Sequence, residues 1–280
     1  MSKALLVDIT KCNGCYSCQL SCKDEHVDND WTPYAKPQPN TGHFWWKITE
    51  TVQGTVPKVR VHYMHEMCQH CENPNCLEKA TNGEVYRRDD GLIIIDPEKA
   101  RGRRDLVEAC PYGDIYWNEE YQLPQKCTGC AHLLDGKDGV TEAWTEPRCV
   151  QSCPTDALLF GEYEQFKDKI ASEGFEQLHP EYGTGPRVWY KGLLNRFFIA
   201  GEVFDPVEDE ELEGSAVTLI AADGSEKSLK TDVFGDFWFE RQEPGVYSLR
   251  IEMDGYAPKT IEGIDATKDV NVGPIELAKK

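Results

Sequence analysis

Four cysteines near the start of the sequence restrict the possible folds of this chain more than any other feature. The run "CNGCYSCQLSC" spaces Cys12, Cys15, Cys18 and Cys22 as C-x2-C-x2-C-x3-C. In this spacing, two-residue loops let three thiolates hold three corners of one [4Fe-4S] cube, and the fourth cysteine is directed to a different cluster. Since Cys18 and Cys22 are joined by at most ~14 Å of extended chain, the two clusters have to be neighbours. The sequence therefore predicts a fold built around adjacent iron–sulfur sites.

Eight further cysteines complete the set, and all twelve lie at or before Cys153. The remaining motifs are Cys68, Cys71 and Cys76 in "CQHCENPNC", Cys127 and Cys130 in "CTGC", Cys149 and Cys153 in "CVQSCP", and the isolated Cys110 in "EACPYG". Counted by threes, the cysteines form three triplets and leave Cys22, Cys110 and Cys153 as single fourth ligands. Twelve thiolates are enough for three complete [4Fe-4S] clusters.

Zinc is the main alternative for part of this set. The pair Cys127 and Cys130, followed by Cys149 and Cys153, would also suit a tetrahedral zinc site. Disulfides suit small secreted domains, whereas the opening "MSKALLVDITK" lacks the apolar core of a signal peptide. No stretch approaches the roughly 18 apolar residues of a membrane span. We therefore expect a cytoplasmic protein without a membrane anchor that carries metal on its cysteines.

The charge of the chain restricts its possible partners. The sequence has 49 Asp and Glu against 30 Lys and Arg, a net charge of −19, which argues against binding to nucleic acid. Residues 197–280 contain nineteen acidic and eight basic residues and no cysteine, so we expect a separate acidic domain there. The sequence contains no recognisable nucleophile–base pair, phosphate-binding loop or Rossmann turn. We therefore predict no active site in this chain.

The pattern of predicted elements divides the chain into three segments. Residues 1–163 combine the cysteine motifs with short strands and loops, including a hairpin over 84–96 with "DG" at its turn. Residues 164–196 predict a helix followed by an extended arm or linker. Residues 197–280 contain short β-rich runs separated by turn signals, which is typical of an antiparallel β-sandwich or barrel.

The cysteine motifs resemble those of the iron–sulfur electron-transfer subunits of molybdopterin oxidoreductases, the dimethyl sulfoxide reductase family. The resemblance covers residues 4 to about 195 and implies an α+β fold whose first domain is ferredoxin-like and holds several [4Fe-4S] clusters. In the family the first motif pairs with the fourth and the second with the third. This implies three ligand sets, which are Cys12, Cys15, Cys18 and Cys153 for cluster one; Cys22, Cys127, Cys130 and Cys149 for cluster two; and Cys68, Cys71, Cys76 and Cys110 for cluster three.

One cluster of the family is missing from this chain. Relatives usually carry four motifs and four clusters, but the positions that match four of the ligands hold Ala80, Ala100, Arg103 and Leu106. Only Cys110 remains of the third motif. The four missing ligands belong to a single cluster, which in the relatives is the distal one, nearest a membrane quinol partner. The resemblance thus implies three clusters and no membrane partner.

A closer resemblance covers nearly the whole chain. The segments "CKDEHVDNDW", "NTGHFWW", "CPYGDIYWNEE" and "QKCTGCAHLLD" are similar to those of the small subunits of molybdenum transhydroxylases that act on polyphenols. The tail resembles small all-β domains of the transthyretin-like or carboxypeptidase-regulatory-like kind. The resemblance implies an electron-transfer subunit that pairs with a large catalytic subunit, which carries a molybdenum or tungsten bis-pterin cofactor. The iron–sulfur subunit of a phenol hydroxylase or dehydroxylase is an alternative, and a free-standing polyferredoxin carrier is an alternative of another class.

Three lysines flank the predicted ligands, namely Lys11, Lys23 and Lys126. A positive charge next to a [4Fe-4S] cluster raises its reduction potential. Ordinary solvated lysines would occupy the same positions in the sequence, so the sequence leaves both interpretations open.

Overall fold

The computed structural model describes residues 2–136, 143–194 and 196–280. The chain divides into two compact units. The first consists of Met1–Glu50 and Tyr63–Gly192, and the second of Thr51–His62 and Leu193–Lys280. Every cysteine belongs to the first unit.

Short strands joined by loops make up much of the first unit. In chain order the strands up to residue 192 are β1 (Lys3–Asp8), β2 (Trp46–Thr55), β3 (Lys58–Met67), β4 (Val85–Arg87), β5 (Ile93–Ile95), β6 (Tyr116–Asn118), β7 (Leu123–Gln125), β8 (Leu158–Glu162), β9 (Glu176–Gln177) and β10 (Val188–Lys191). The α-helices are α1 (Ser17–His26), α2 (Asn75–Glu78), α3 (Ala131–Leu134), α4 (Arg148–Gln151) and α5 (Tyr163–Glu173). Single turns of 3₁₀ helix cover Ile9–Lys11, Arg104–Leu106 and Pro180–Tyr182. Strands β2 and β3 pair with each other, and the tip of this pair belongs to the second unit.

A four-stranded sheet of the first unit contains both parallel and antiparallel pairs. Its order is β8-β1-β10-β9, with β1 parallel to β10 and the other pairs antiparallel. Helix α5 packs on this sheet, where Ile170 and Phe175 contact the cluster around Leu6 of β1. The helix ends at Gly174, whose φ of 70° suits a left-handed C-cap. The helix predicted at the start of the segment 164–196 is therefore present and begins one residue earlier.

The prediction of an extended arm or linker for the rest of that segment is wrong. Its strand β10 lies inside the sheet, between β1 and β9, and Val188 and Tyr190 are buried. The alternate buried positions of "VWYK" are a strand signal, but four residues are too few to be recognised among the surrounding Pro and Gly. The Tyr190 hydroxyl donates to the His65 carbonyl at 3.1 Å and accepts from Gln69 Nε2 at 3.0 Å. These bonds tie the strand to the residues around the second cysteine motif.

Two small hairpins complete the first unit. The predicted hairpin over 84–96 is present as the antiparallel pair β4–β5, and Gly91 at its turn has a φ of 86°. Strands β6 and β7 form the second antiparallel pair. The first hairpin packs in a small apolar core whose fully buried members are Cys76, Val85, Ile93, Ile95, Ala100, Leu106 and Ile115. The isolated cysteine, Cys110, is partly buried and packs against this core.

The second unit is a β-sandwich. Its strands after residue 192 are β11 (Phe197–Asp205), β12 (Glu210–Glu211), β13 (Ala216–Ala221), β14 (Glu226–Lys230), β15 (Asp236–Gln242), β16 (Val246–Glu252), β17 (Lys259–Asp265) and β18 (Val270–Glu276). One sheet has the order β14-β13-β16-β17, and the other has β12-β11-β15 with β18 paired to β11. Side chains from both sheets, such as Phe237 and Leu249, form one apolar core, as in sheets that pack face to face.

One strand pair of the sandwich departs from the predicted antiparallel arrangement. Strand β18 runs parallel to β11, with Val203 opposite Ile275. Strand β17 is a further difference, because the predicted β-rich runs were "FIAGEVFD", "SAVTLIAA", "KSLKTDVF", "DFWFERQ", "YSLRIEM" and "VNVGPIEL" and did not include its sequence "KTIEGID". Most of its side chains are exposed, so the alternation of apolar and polar residues that marks a half-buried strand is weak there.

Candidate metal centre

Group one consists of the cysteines predicted to hold cluster one, which are Cys12, Cys15, Cys18 and Cys153. Burial, together with the neighbouring thiols of this group, raises the pKa of the Cys18 thiol to about 12. Burial and the same neighbours also raise the pKa of Cys12. The Ser21 hydroxyl of α1 lies 2.8 Å from that of Ser152, the residue before the last member of the group. This contact holds the two ends of the cysteine set together.

Group two consists of Cys22, Cys127, Cys130 and Cys149, and all four line a single cavity. Helices α1 and α4 supply Cys22 and Cys149. Burial raises the pKa of both thiols well above the ordinary value, and the other thiols of the group add to the shift. Cys18 and Cys22 lie one helical turn apart on α1, so groups one and two are adjacent.

Group three consists of Cys68, Cys71, Cys76 and Cys110, which line a second cavity. Burial raises the pKa of Cys71 and Cys110 to about 12. Cys68 also lines the cavity of group two, so the second and third groups are adjacent as well. The isolated Cys110 thus lies with the three cysteines that the sequence left without a fourth ligand.

The backbone adopts the same unusual conformation in three of the four C-x2-C loops, those that begin at Cys12, Cys68 and Cys127. The residue before the second cysteine has a positive φ, which is 69° at Gly14, 44° at His70 and 64° at Gly129. Turns of this kind aim successive N–H groups at one point and form anion-binding hollows in many iron–sulfur sites. The N–H of Gly129 points at Cys127 Sγ over 3.3 Å. This N–H acts to lower the pKa of the Cys127 thiol, but the effect of burial is larger.

The donor set suits iron–sulfur clusters. Burial raises the pKa of Cys127 to about 11, so a thiol of this kind stays protonated unless a metal displaces the proton. Within the described ranges, no three His, Cys, Asp or Glu side chains converge closely enough to hold a single metal ion. Groups two and three instead surround cavities, which is the arrangement that a multi-iron cluster needs.

Apolar packing and ion pairs occupy the positions at which the resemblance predicts missing cluster ligands. Ala100 and Leu106 are fully buried in the core around β4 and β5. Arg103 forms an ion pair with Glu84 and a second one with Asp105 at 2.9 Å. Glu84 also accepts from the backbone N–H of Asn82 at 2.7 Å, and this bond is the main cause that lowers its pKa to about 2. These positions therefore hold packed and ion-paired side chains in place of metal ligands.

The sequence places several histidines near the cysteine motifs, where surface positions or contacts around the clusters are expected instead of ligation, and two of them contact the cysteine groups. His65 Nε2 lies 3.3 Å from Cys12 Sγ and is positioned to donate to a thiolate there. His70 is buried, accepts from the Ile93 N–H at 3.0 Å through Nδ1, and lines the group-two cavity. No spacing rule connects His65 with a cysteine 53 positions away, so only the tertiary fold reveals this contact.

Comparison with protein families assigns both parts of the chain. Residues 59–163 match the 4Fe-4S dicluster domain, and residues 199–276 match the carboxypeptidase regulatory-like domain. The predicted α+β fold class, a ferredoxin-like cluster domain followed by a small β-domain, is confirmed.

Relatives that match more than half of the chain define its family. The chain is 38% identical over 279 residues to the pyrogallol hydroxytransferase small subunit of Pelobacter acidigallici, and the match covers 98% of each of the two proteins. It is 31% identical to a subunit of the tetrathionate reductase of Salmonella typhimurium, over 69% of this chain and 74% of that protein. It is 32% identical to a subunit of the anaerobic dimethyl sulfoxide reductase of Escherichia coli, over 58% of this chain and 75% of that protein.

The chain is therefore a member of the iron–sulfur subunits of the dimethyl sulfoxide reductase family of molybdopterin oxidoreductases. It is an electron-transfer subunit with [4Fe-4S] clusters, and its relatives are subunits of larger enzymes. Across the ranges that the structure covers, no helix is both long and apolar enough to cross a membrane.

Proposed function

We propose that the chain holds three [4Fe-4S] clusters, with groups one, two and three as their ligand sets. The observation that carries this proposal is the pair of cavities, each lined by one complete set of four cysteines. Two observations support group one as a ligand set. Its other thiols lie close enough to Cys18 to raise the pKa of that thiol, and the hydroxyl groups of Ser21 and Ser152 are in contact. The packing at Ala100 and Leu106 supports three clusters rather than four.

The three clusters form one row in this proposal. Cys18 and Cys22 on α1 make clusters one and two neighbours, and Cys68, which lines both cavities, makes clusters two and three neighbours. Electrons would therefore pass from cluster one through cluster two to cluster three or in the reverse direction. A conduit of this kind needs a catalytic end, and this chain contributes cysteine ligands rather than a site for substrate.

The proposed partner is a large subunit with a molybdenum or tungsten bis-pterin cofactor, which meets the chain at cluster one. The relative from Pelobacter acidigallici is named for hydroxyl transfer with pyrogallol, and its similarity to this chain extends through the β-domain. We therefore propose a polyphenol substrate, with hydroxyl transfer catalysed in the partner subunit. This chain would have no active site of its own, and its cytoplasmic location stays a prediction.

The native complex tests this proposal. We expect anaerobic purification to give the chain together with a large subunit that contains molybdenum or tungsten, and we expect turnover of pyrogallol without an added electron donor or acceptor. A transhydroxylation is redox-neutral overall, so the clusters would set the oxidation state of the metal rather than carry a steady current. The control is the same assay with the Cys22→Ala complex, in which the row of clusters is interrupted.

Two other outcomes have clear meanings. Turnover that requires an added donor or acceptor would identify a phenol hydroxylase or dehydroxylase instead. Purification of the chain alone, with its clusters and without a large subunit, would support a free-standing polyferredoxin and contradict the proposal. A complex that lacks both molybdenum and tungsten would contradict it as well.

A further inference from the structure

Lys126 is a buried cation between two of the cysteine groups. It follows β7 and precedes Cys127, and its side chain is only about 3% exposed. Its Nζ donates to the Ile93 carbonyl of β5 and to the Cys127 carbonyl at 3.0 Å. A lysine is almost never fully buried without a partner of opposite charge, so the position of this ammonium group requires an explanation.

The surroundings of Lys126 contain thiols on both sides. The side chain lines the cavity of group three, whereas its neighbour Cys127 lines the cavity of group two. Cys68 and Cys76 line the same cavity as Lys126, and its Nζ donates to the carbonyl of Cys127. The ammonium group therefore faces both ligand sets at once.

No carboxylate forms an ion pair with Lys126 among the residues that the structure describes. Asp114 is a buried acidic residue in the same region, but it forms no ion pair with Lys126. His70 lies nearby and is a neutral acceptor for the Ile93 N–H. An unpaired ion in such a site would cost several kcal/mol. The anions that compensate Lys126 are thus the thiolates themselves.

We infer that the fixed positive charge of Lys126 raises the reduction potentials of clusters two and three together, relative to that of cluster one. This inference rests on the three clusters of the proposed function. A [4Fe-4S] core with four thiolates carries a charge of about −2 when oxidised and gains one further negative charge on one-electron reduction. A buried cation stabilises the more negative state, because attraction between charges is strong where water is excluded. Electrons would accordingly reside on clusters two and three, away from the catalytic end.

A redox titration of the anaerobically purified complex, followed by electron paramagnetic resonance (EPR), tests this inference. The signals are first assigned with the variants Cys22→Ala and Cys110→Ala. Lys126→Met removes the charge and the hydrogen bonds, and Lys126→Gln removes the charge but keeps a donor. We expect both variants to shift the potentials of clusters two and three to more negative values and to leave cluster one unchanged. The matched control is Lys11→Met, which removes an exposed lysine next to Cys12 and should shift no potential.

Every other outcome would overturn the inference. Unchanged potentials in both Lys126 variants would show that the charge has no effect on the clusters. A shift in Lys126→Met but not in Lys126→Gln would assign the effect to hydrogen bonding, and a shift of one cluster only would disprove the shared influence. Loss of iron from both variants would make Lys126 a purely structural residue. Failure of the proposed function is distinguishable, since it would appear beforehand as missing [4Fe-4S] signals in the unmodified complex.

Discussion

Cys22→Ala is expected to abolish the EPR signal of one [4Fe-4S] cluster and to lower the iron content by about four atoms per chain. The affected cluster should be the one held by Cys127, Cys130 and Cys149, although Cys22 is distant from them in the sequence. The reason is geometric, because Cys22 lines the cavity of those three cysteines and lies one helical turn beyond Cys18. Alanine leaves group two with three thiols, and the one other cysteine that lines this cavity, Cys68, is assigned to group three.

Cys110→Ala is the matched control for this experiment. It also removes a single fourth ligand, but Cys110 lines the other cavity, with Cys68, Cys71 and Cys76. The two variants should therefore lose different signals and the same amount of iron. Loss of the cluster at Cys12 and Cys15 in the Cys22→Ala variant would contradict the crossed pairing.

Gly129→Ala should damage cluster two, although Gly129 is not a ligand. Gly129 has a φ of 64°, and an added Cβ would lie 2.8 Å from Leu92 Cδ1. Leu92 is about 3% exposed and has little room to move. Left-handed strain and overpacking together predict a loss of about 2–4 kcal/mol, and the displaced loop would also move its N–H away from Cys127. We expect cluster two to be lost at a clearly lower denaturant concentration, measured as bleaching of the cluster absorbance in guanidinium chloride.

Gly102→Ala separates the two causes of this effect. Gly102 has a φ of 77°, but an added Cβ would meet no atom within 4 Å. The variant therefore suffers only backbone strain of about 1–2 kcal/mol. Its clusters should bleach at a guanidinium chloride concentration close to that of the unmodified protein. Equal bleaching midpoints for the two variants would show that the contact with Leu92 is unimportant.

The cysteine spacing predicted the metal chemistry of the site, but it did not predict which other residues surround the cysteines. Short motifs such as "CNGCYSCQLSC" act over a few residues, and the loops they define are local structures with a fixed reach. The pairing of Cys110 with the second motif follows from the resemblance to a family and stays a prediction that the cavity supports. In contrast, the roles of His65 and Lys126 depend on contacts between distant segments, for which the sequence has no local pattern.

The same distinction explains the successes and errors in the fold. The hairpin over 84–96 and the helix α5 were predicted because turn residues and a helix stop are local signals. The strand β10 was missed because its four residues pair with β1, more than 180 positions earlier in the chain. Parallel pairing of this kind leaves no turn between the partners, so sequence patterns do not indicate it.

The metal content of the anaerobically purified protein tests the central claim most directly. Three [4Fe-4S] clusters on twelve cysteines predict about twelve iron atoms and about twelve acid-labile sulfides per chain. The protein should be brown, and zinc should be present only in traces. Stoichiometric zinc with little iron or sulfide would contradict the account, and about sixteen iron atoms would show that a fourth cluster is present after all.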